Sequence, residues 1–415
     1  MTARPREVSA ERSYELISLN DHVVVPPDAY TSRVARRFAD RVPRVVAGAG
    51  VDAAAFMASR GIELAVLDDD GSADDPRGPG DAWCYDGQLF PTSYSSVSPE
   101  YQDFDMRHIG SFHYADLEPH YLEAKARASV MDDEGILASG LYPQVDFPSY
   151  AGVHLLRSDD SALAGECARA YNDFLLEEWS DAAPGRFIPL ILLPLRDPGA
   201  AAAEIRRTAA LGAKGITFPE DPAKLGLPGI NADDWNPVFD AVQETGLPLC
   251  VHNASSLWMP PLSRDGSVLT PAVMLASMAT MTFYDWIFSN VFVRFPSLRM
   301  VQNECDVGWI PWALQRCDVQ WERNHAYRAP WNTASPSDLF GRNMFACALP
   351  YETDTADVVA RIGADGLLME TDYPHLDMSF PHTQSMVREN LGALSDADLA
   401  QVLRGNAARL FNVAL

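Results

Sequence analysis

Eight β-rich runs recur along the chain, separated by stretches of helical periodicity, and no other feature restricts the possible folds so strongly. They are Tyr14–Val25, Gly135–Gln144, Arg186–Leu195, Ala213–Phe218, Leu247–His252, Leu298–Glu304, Asn343–Ala348 and Gly366–Asp372. Strands that alternate with helices pair in parallel, because a parallel neighbour needs a crossover long enough to hold a helix. The count matches a closed parallel sheet, so the order predicts an α/β fold, a (β/α)8 barrel. Local signals agree. Asp197 and Pro198 suit a helix start and Gly212 its stop, while Ser395 with Asp398 at the capping-box position opens the closing helix. Pro26 and Pro27 cannot continue a central strand, which leaves His22 near the C-terminal end of the first run.

The stretch from about 26 to 118 includes GSADDPRGPGDAWCYDG, too long and too rich in Gly and Pro for a tight βα connection. It is expected to be a cap inserted into a single domain spanning 1–415. Loops that follow barrel strands gather at the C-terminal face, so the cap would cover the mouth of the barrel.

A formal charge of -25 repels phosphate backbones and anionic headgroups, so neither nucleic acid nor membrane is an expected partner. No apolar run reaches the roughly 18 residues of a membrane span, and charges stand where a signal peptide needs an apolar core, which predicts a cytoplasmic protein. The six cysteines lack CxxC spacing and read as reduced, buried thiols; Cys305 alone adjoins a candidate site residue.

Four polar residues fall at the ends of four runs: His22 on the first, His252 on the fifth, Glu304 on the sixth and Asp372 on the eighth. Singly, each has an ordinary reading as a hydrogen-bonded structural group. A barrel, however, brings those ends to one cavity, and the joint placement points to an active centre. Imidazoles and carboxylates together suit Zn²⁺, the first expectation, or Mn²⁺.

The segments ISLNDHVVVPPDAY, RFIPLILLPL, LCVHNASS, VQNECDVGWIPWALQR and ETDYPHLDMSFPHT, with the stretch around FLLEEW, resemble successive motifs of the second amidohydrolase family of the amidohydrolase superfamily. That family includes aminocarboxymuconate semialdehyde decarboxylase, resorcylate decarboxylase and many metal-dependent hydrolases. The resemblance runs from Ile17 to the C-terminus. It implies that His22 and His252 are metal ligands, that Asp372 is a ligand or the acid/base, and that the protein is a homodimer or tetramer. Glu304 stands where decarboxylase relatives carry a catalytic His, so its role, proton acceptor or ligand, is open. His375 would contact the metal or support its ligands, or else lie on the loop surface.

Two positions depart from the family pattern. Asn20 replaces an acidic or His ligand two residues before His22, and Val25 replaces an acid before the double proline. Strict alternation puts Asp21 on the opposite face from Asn20 and His22. Three readings therefore stand: a metal held by His22, His252, Asp372 and Asn20 or Glu304; an altered metal preference; or a metal-free lyase, cyclase or binding protein.

Tyr142, Gln144, His113 and Trp309 are expected substrate contacts, with His108 a further wall residue. The ordinary alternatives are surface placement for the two histidines and loop packing for Trp309 and Trp312. Lys214 reads equally as a solvated lysine or a substrate contact, and Asp377, Ser379 and His382 as organisers of the last loop. The expected activity is metal-dependent hydrolysis of a small amide, ester, lactone or C–C bond through an activated water. Decarboxylation of an aromatic or unsaturated acid is the alternative.

Overall fold

Among the described residues, eleven strands form: β1 (Leu16–Val23), β2 (Arg44–Val46), β3 (Ala82–Tyr85), β4 (Gln88–Pro91), β5 (Ile136–Pro143), β6 (Phe187–Ile191), β7 (Gly215–Thr217), β8 (Leu249–His252), β9 (Met300–Asn303), β10 (Met344–Ala348) and β11 (Leu367–Met369). This computed structural model describes residues 13–51, 56, 79–93, 96–98, 111–260, 269–324 and 334–415. His108 lies outside them. β1 and β5 to β11 close a parallel barrel, each strand beside its successor and β1 between β5 and β11. Each expected run contains one of these strands.

Side chains alternate between two apolar cores, as period-two strands require. Ile17, Leu19, Ala138, Ile188, Leu190, Cys250, Val301, Phe345, Cys347 and Leu368 fill the barrel with Ala407, Leu410 and Phe411 of the last helix. Leu16, Leu141, Phe187, Ile216, Leu249, Met300, Met344 and Leu367 belong to the larger core beneath the surrounding helices. Asn406 fastens the last helix by donating to the carbonyls of Ala364 (2.7 Å) and Leu367 (2.8 Å). Asp197 and Ser395 cap their helices as expected, accepting from the N–H groups of Ala200 and Asp398. All six cysteines are free and buried. No helix among the described residues is long and apolar enough to cross a membrane.

The register of β1 against β5 slips between Ser18 and Asp21, which strict alternation does not foresee. A bulge of this kind re-aims the residues beyond it. Ser18 and Asp21 then share the outer face, where Ser18 Oγ donates to Asp21 Oδ1 at 2.9 Å. Leu19, Asn20 and His22 are all left for the inside.

Between β1 and β5, the antiparallel sheet β2-β3-β4 turns at Asp86 and Gly87, both with positive φ, as a two-residue hairpin demands. Ser96 and Ser98, which lie between β4 and β5, are tied to residues just beyond the carboxyl ends of barrel strands. Gln144 Nε2 donates to the Ser96 carbonyl (2.8 Å), Ser96 Oγ to Asp146 (3.0 Å) and Ser98 N to the Pro374 carbonyl (2.8 Å).

Phe90 of β4 packs on His154, ring centroids 4.7 Å apart, with Phe147 on the same imidazole. Burial among these rings drives the His154 pKa down to about 3. An unfolded histidine titrates near pH 6.5, so between those values the unfolded chain binds a proton that the folded chain refuses. The stability at stake is present above pH 6.5 and drains as pH falls. Acidifying from pH 7 to 5 should cost about 2 kcal/mol through this residue. Urea unfolding at both values should show a shallower acid loss in His154→Leu; equal losses would exonerate His154.

Candidate metal centre and active site

Three imidazoles meet at the C-terminal end of the barrel, and each has its outer nitrogen committed to an acceptor. His22 Nδ1 lies 3.2 Å from the Pro143 carbonyl, His252 Nδ1 2.6 Å from the Asn253 carbonyl and His375 Nε2 2.9 Å from Gln144 Oε1. A carbonyl oxygen only accepts, so the outer nitrogen carries hydrogen in every case. Gln144 cannot turn, because its own amide donates to Ser96. The inner nitrogens are consequently lone pairs in the neutral rings, and they face carboxylates. His22 Nε2 is 3.0 Å and His375 Nδ1 3.1 Å from Asp372 Oδ1, and His252 Nε2 is 3.4 Å from Glu304 Oε1.

Glu304 directly follows β9 and Asp372 lies three residues beyond β11, both on left-handed backbone: φ is +50° at Glu304 and +56° at Asp372. Non-glycine residues pay strain there, and such strain concentrates at functional sites. The neighbours hold it in place. Asp372 N donates to the Asn20 carbonyl at 2.8 Å, and Glu304 N donates to both oxygens of Glu370 at 2.9 and 3.2 Å. The kink at Glu304 explains why β9 ends at Asn303, whereas β11 ends at Met369, three residues before the kink at Asp372.

The two acids are pushed in opposite directions. Burial raises the pKa of Asp372 well above the carboxylate range, and the charge of Glu304 adds to that. Burial also works on Glu304, but His252, by charge and hydrogen bond, and His375 outweigh it and hold the carboxyl well below its usual value. His22 is kept neutral by burial and by the charges of His375 and His252. Its ring stacks on His375 at 3.6 Å and 15°, a poor arrangement for two cations. Burial would depress His375 too, yet Asp372 and Glu304 lift it to about 10. Asp372 and His375 thus contend for one proton.

One ligand atom from each of His22, Glu304, Asp372 and His375 lies within 4.8 Å of the others. Buried at the same point, Asn20 Oδ1 has no hydrogen-bond partner among the described residues, and His252 Nε2 meets Glu304 only at 3.4 Å. Converging lone pairs with an orphaned neighbour are what a divalent cation resolves, and mixed nitrogen and oxygen donors suit Mn²⁺ or Zn²⁺. The residues fit such an ion.

The expected ligands thus arrange themselves differently from the order in which the sequence ranks them. His375 and Glu304 join His22 and Asp372, while His252 and Asn20 flank the group. Asn20 presents its amide nitrogen, 3.4 Å from both Glu304 Oε1 and Asp372 Oδ1, so it serves them as a donor. Asp21 points outward as expected, bonded to Ser18, Ser139, Thr371 and the Tyr373 N–H. Val25 is buried in the helix-facing core.

Among the expected substrate contacts, Tyr142 is fully buried and donates to Asn303 Oδ1 at 2.7 Å. Gln144 orients His375, as described. His113 Nδ1 lies 3.2 Å from Asp81 in the inserted segment, and Trp309 donates to the Cys305 carbonyl at 2.7 Å. Trp312 is exposed, Lys214 donates to the Asn412 carbonyl, and Ser379 bonds to Thr383. Glu370 is legible from alternation, since two residues before Asp372 it lies on the same side of the eighth run. Tyr150, stacked on His252 at 3.7 Å and 15°, carried no sequence signal.

The amidohydrolase family model matches residues 108–413. Over 303 residues the chain is 25% identical to a γ-resorcylate decarboxylase of Polaromonas sp. strain JS666, covering 69% of this chain and 86% of that one. A crystal structure of an amidohydrolase from Mycobacterium avium subsp. paratuberculosis K-10 superimposes with a TM-score of 0.67 at 20% identity, over 96% of this chain and 100% of that one. A dihydroxybenzoic acid decarboxylase from Polaromonas sp. JS666, solved with bound manganese and the inhibitor 2-nitroresorcinol, does so with a TM-score of 0.57 at 20% identity, over 96% and 97% of the two chains. The match over most of the sequence, together with the closed barrel, places this chain in the amidohydrolase family.

Proposed function

We propose that the protein is a divalent-metal-dependent, non-oxidative decarboxylase of a hydroxylated aromatic acid. The observation that carries the choice of reaction is the kinship with γ-resorcylate decarboxylase across 86% of that enzyme's length. The convergence of inward lone pairs supports the metal. His22, His375, Asp372 and Glu304 would hold the ion, with His252 beside them, and manganese is the first choice because the related decarboxylase carries it. When bound, the ion would supply the positive charge that an anionic acid needs at this centre.

The rest falls to this chain's own groups. Where two carboxyls are pushed apart in pKa, the raised one is the acid. Asp372 accordingly delivers its proton to the ring carbon that bears the carboxylate, forming a C–H bond. The C–C bond then breaks, its electron pair restores the aromatic ring, CO2 leaves, and Asp372 regains a proton from water. Glu304, charged throughout, keeps its place between His252 and His375. Asn20 holds both carboxylates apart by donating to each.

Protein stripped by chelator and reloaded with Mn²⁺ should release CO2 from γ-resorcylate (2,6-dihydroxybenzoate) or a related hydroxybenzoate, with the matching phenol in equal amount. The chelated protein should be inactive. Hydrolysis of amides or lactones without CO2 release from any acid would reverse the assignment in favour of the metallohydrolase.

A further inference from the structure

The centre is short of positive side chains. Among the described residues, no Lys or Arg side chain bonds to the side chains of His22, Glu304, Asp372 or His375; Arg127 reaches only the His22 carbonyl, at 3.1 Å. Carboxylates are abundant, since Asp306 and Asp377 stand within the electrostatic reach of Glu304. An anionic aromatic acid entering here needs neutral hydrogen-bond donors in addition to any metal. Asn20 is already spent on the two acids.

Tyr150 meets that need. It opens the eight-residue, kinked 3-10 segment Tyr150–Arg157 just beyond β5, on the face of the barrel where the centre lies. Its ring lies flat on His252 at 3.7 Å and reaches the other two imidazoles, 5.5 Å from His22 and 6.2 Å from His375. The residue is 6% exposed, and its hydroxyl has no hydrogen-bond partner among the described residues. A hydroxyl left open in this way can donate to a ligand. A tyrosine hydroxyl is protonated at neutral pH, hence a donor. Both flanking residues are also left-handed, with φ of +67° at Ser149 and +53° at Ala151, neither of them glycine. Backbone strain on each side of one residue is tolerated where its placement matters.

We propose that Tyr150 orients the substrate, its hydroxyl donating to an oxyanion of the bound acid while its ring braces His252. This rests on the decarboxylase reading for the kind of acid, and on the geometry for the contact.

The test uses the Mn²⁺-loaded full chain, its Tyr150→Phe variant and 2-nitroresorcinol, an anionic nitrophenol that is not turned over. Phenylalanine keeps the stacked ring and removes only the donor. Losing a hydrogen bond to a charged oxygen should weaken nitrophenol binding about tenfold or more and raise KM for the hydroxybenzoate similarly. The melting midpoint and the manganese content should stay at wild-type values, which separates a lost contact from a disturbed fold. Equal Kd values in variant and wild type would overturn the proposal. If the wild type binds the nitrophenol yet releases CO2 from no hydroxybenzoate, the decarboxylase reading fails, and the Kd ratio still decides Tyr150. A wild type that binds no phenolate overturns both.

Discussion

Asp372→Asn should lower kcat for decarboxylation by about three orders of magnitude, the scale of a positioned general acid. Asparagine preserves the size of the side chain and the backbone N–H bond to the Asn20 carbonyl, so the kink at Asp372 persists. What disappears is a proton that can be given to carbon. Because Asp372 also faces His22 and His375, the variant's manganese content must be measured in the same preparation. Reloading with excess Mn²⁺ should restore metal without restoring turnover. A variant that keeps more than a tenth of wild-type kcat once loaded would move the proton donor elsewhere, with His252 the next group to test.

The second large effect concerns where the centre keeps its negative charge. The family pattern places an acid or His two residues before His22; this chain has Asn20 there and a carboxylate on the sixth strand instead. The structure puts the two positions side by side, Asn20 Nδ2 lying 3.4 Å from Glu304 Oε1. Glu304→Gln should therefore weaken Mn²⁺ binding by about a hundredfold or more, exceeding the usual loss for a residue that only supports a ligand. Adding Asn20→Asp to that variant should recover at least about tenfold, since an oxygen at position 20 faces the same point. Calorimetric titration of stripped protein with Mn²⁺ reads both. Wild-type affinity in Glu304→Gln would remove Glu304 from the ligand set. Failure of the double variant to recover would show that the two positions are not interchangeable.

Much of this could be read from residues alone. Alternation of strand and helix patterns gives the barrel, and strand ends give His22, His252, Glu304 and Asp372, because these are local regularities with fixed periods. Alternation also reaches Glu370, whose carboxylate accepts the Glu304 N–H from below. It fails at β1, where the slipped register turns Leu19, Asn20 and His22 all inward. A bulge is decided by the neighbouring strands, so period-two reasoning along one strand cannot register it. Orientation is a second limit. Gln144 and His113 look alike as polar wall candidates, yet one fixes the outer nitrogen of His375 while the other is engaged by Asp81.

Residue type and spacing alone set the number of strands, their parallel pairing and the four polar ends. Only the folded chain decided that His375 joins the centre, that Asn20 acts as a donor and that Tyr150 lies against His252. Each of these rests on contacts between segments far apart in the chain: 228 residues, by 372 minus 144, separate Gln144 from Asp372, yet both touch His375. Side-chain direction at such meetings is set by which hydrogen-bond acceptors and backbone kinks the other segments bring, and linear order carries no record of that.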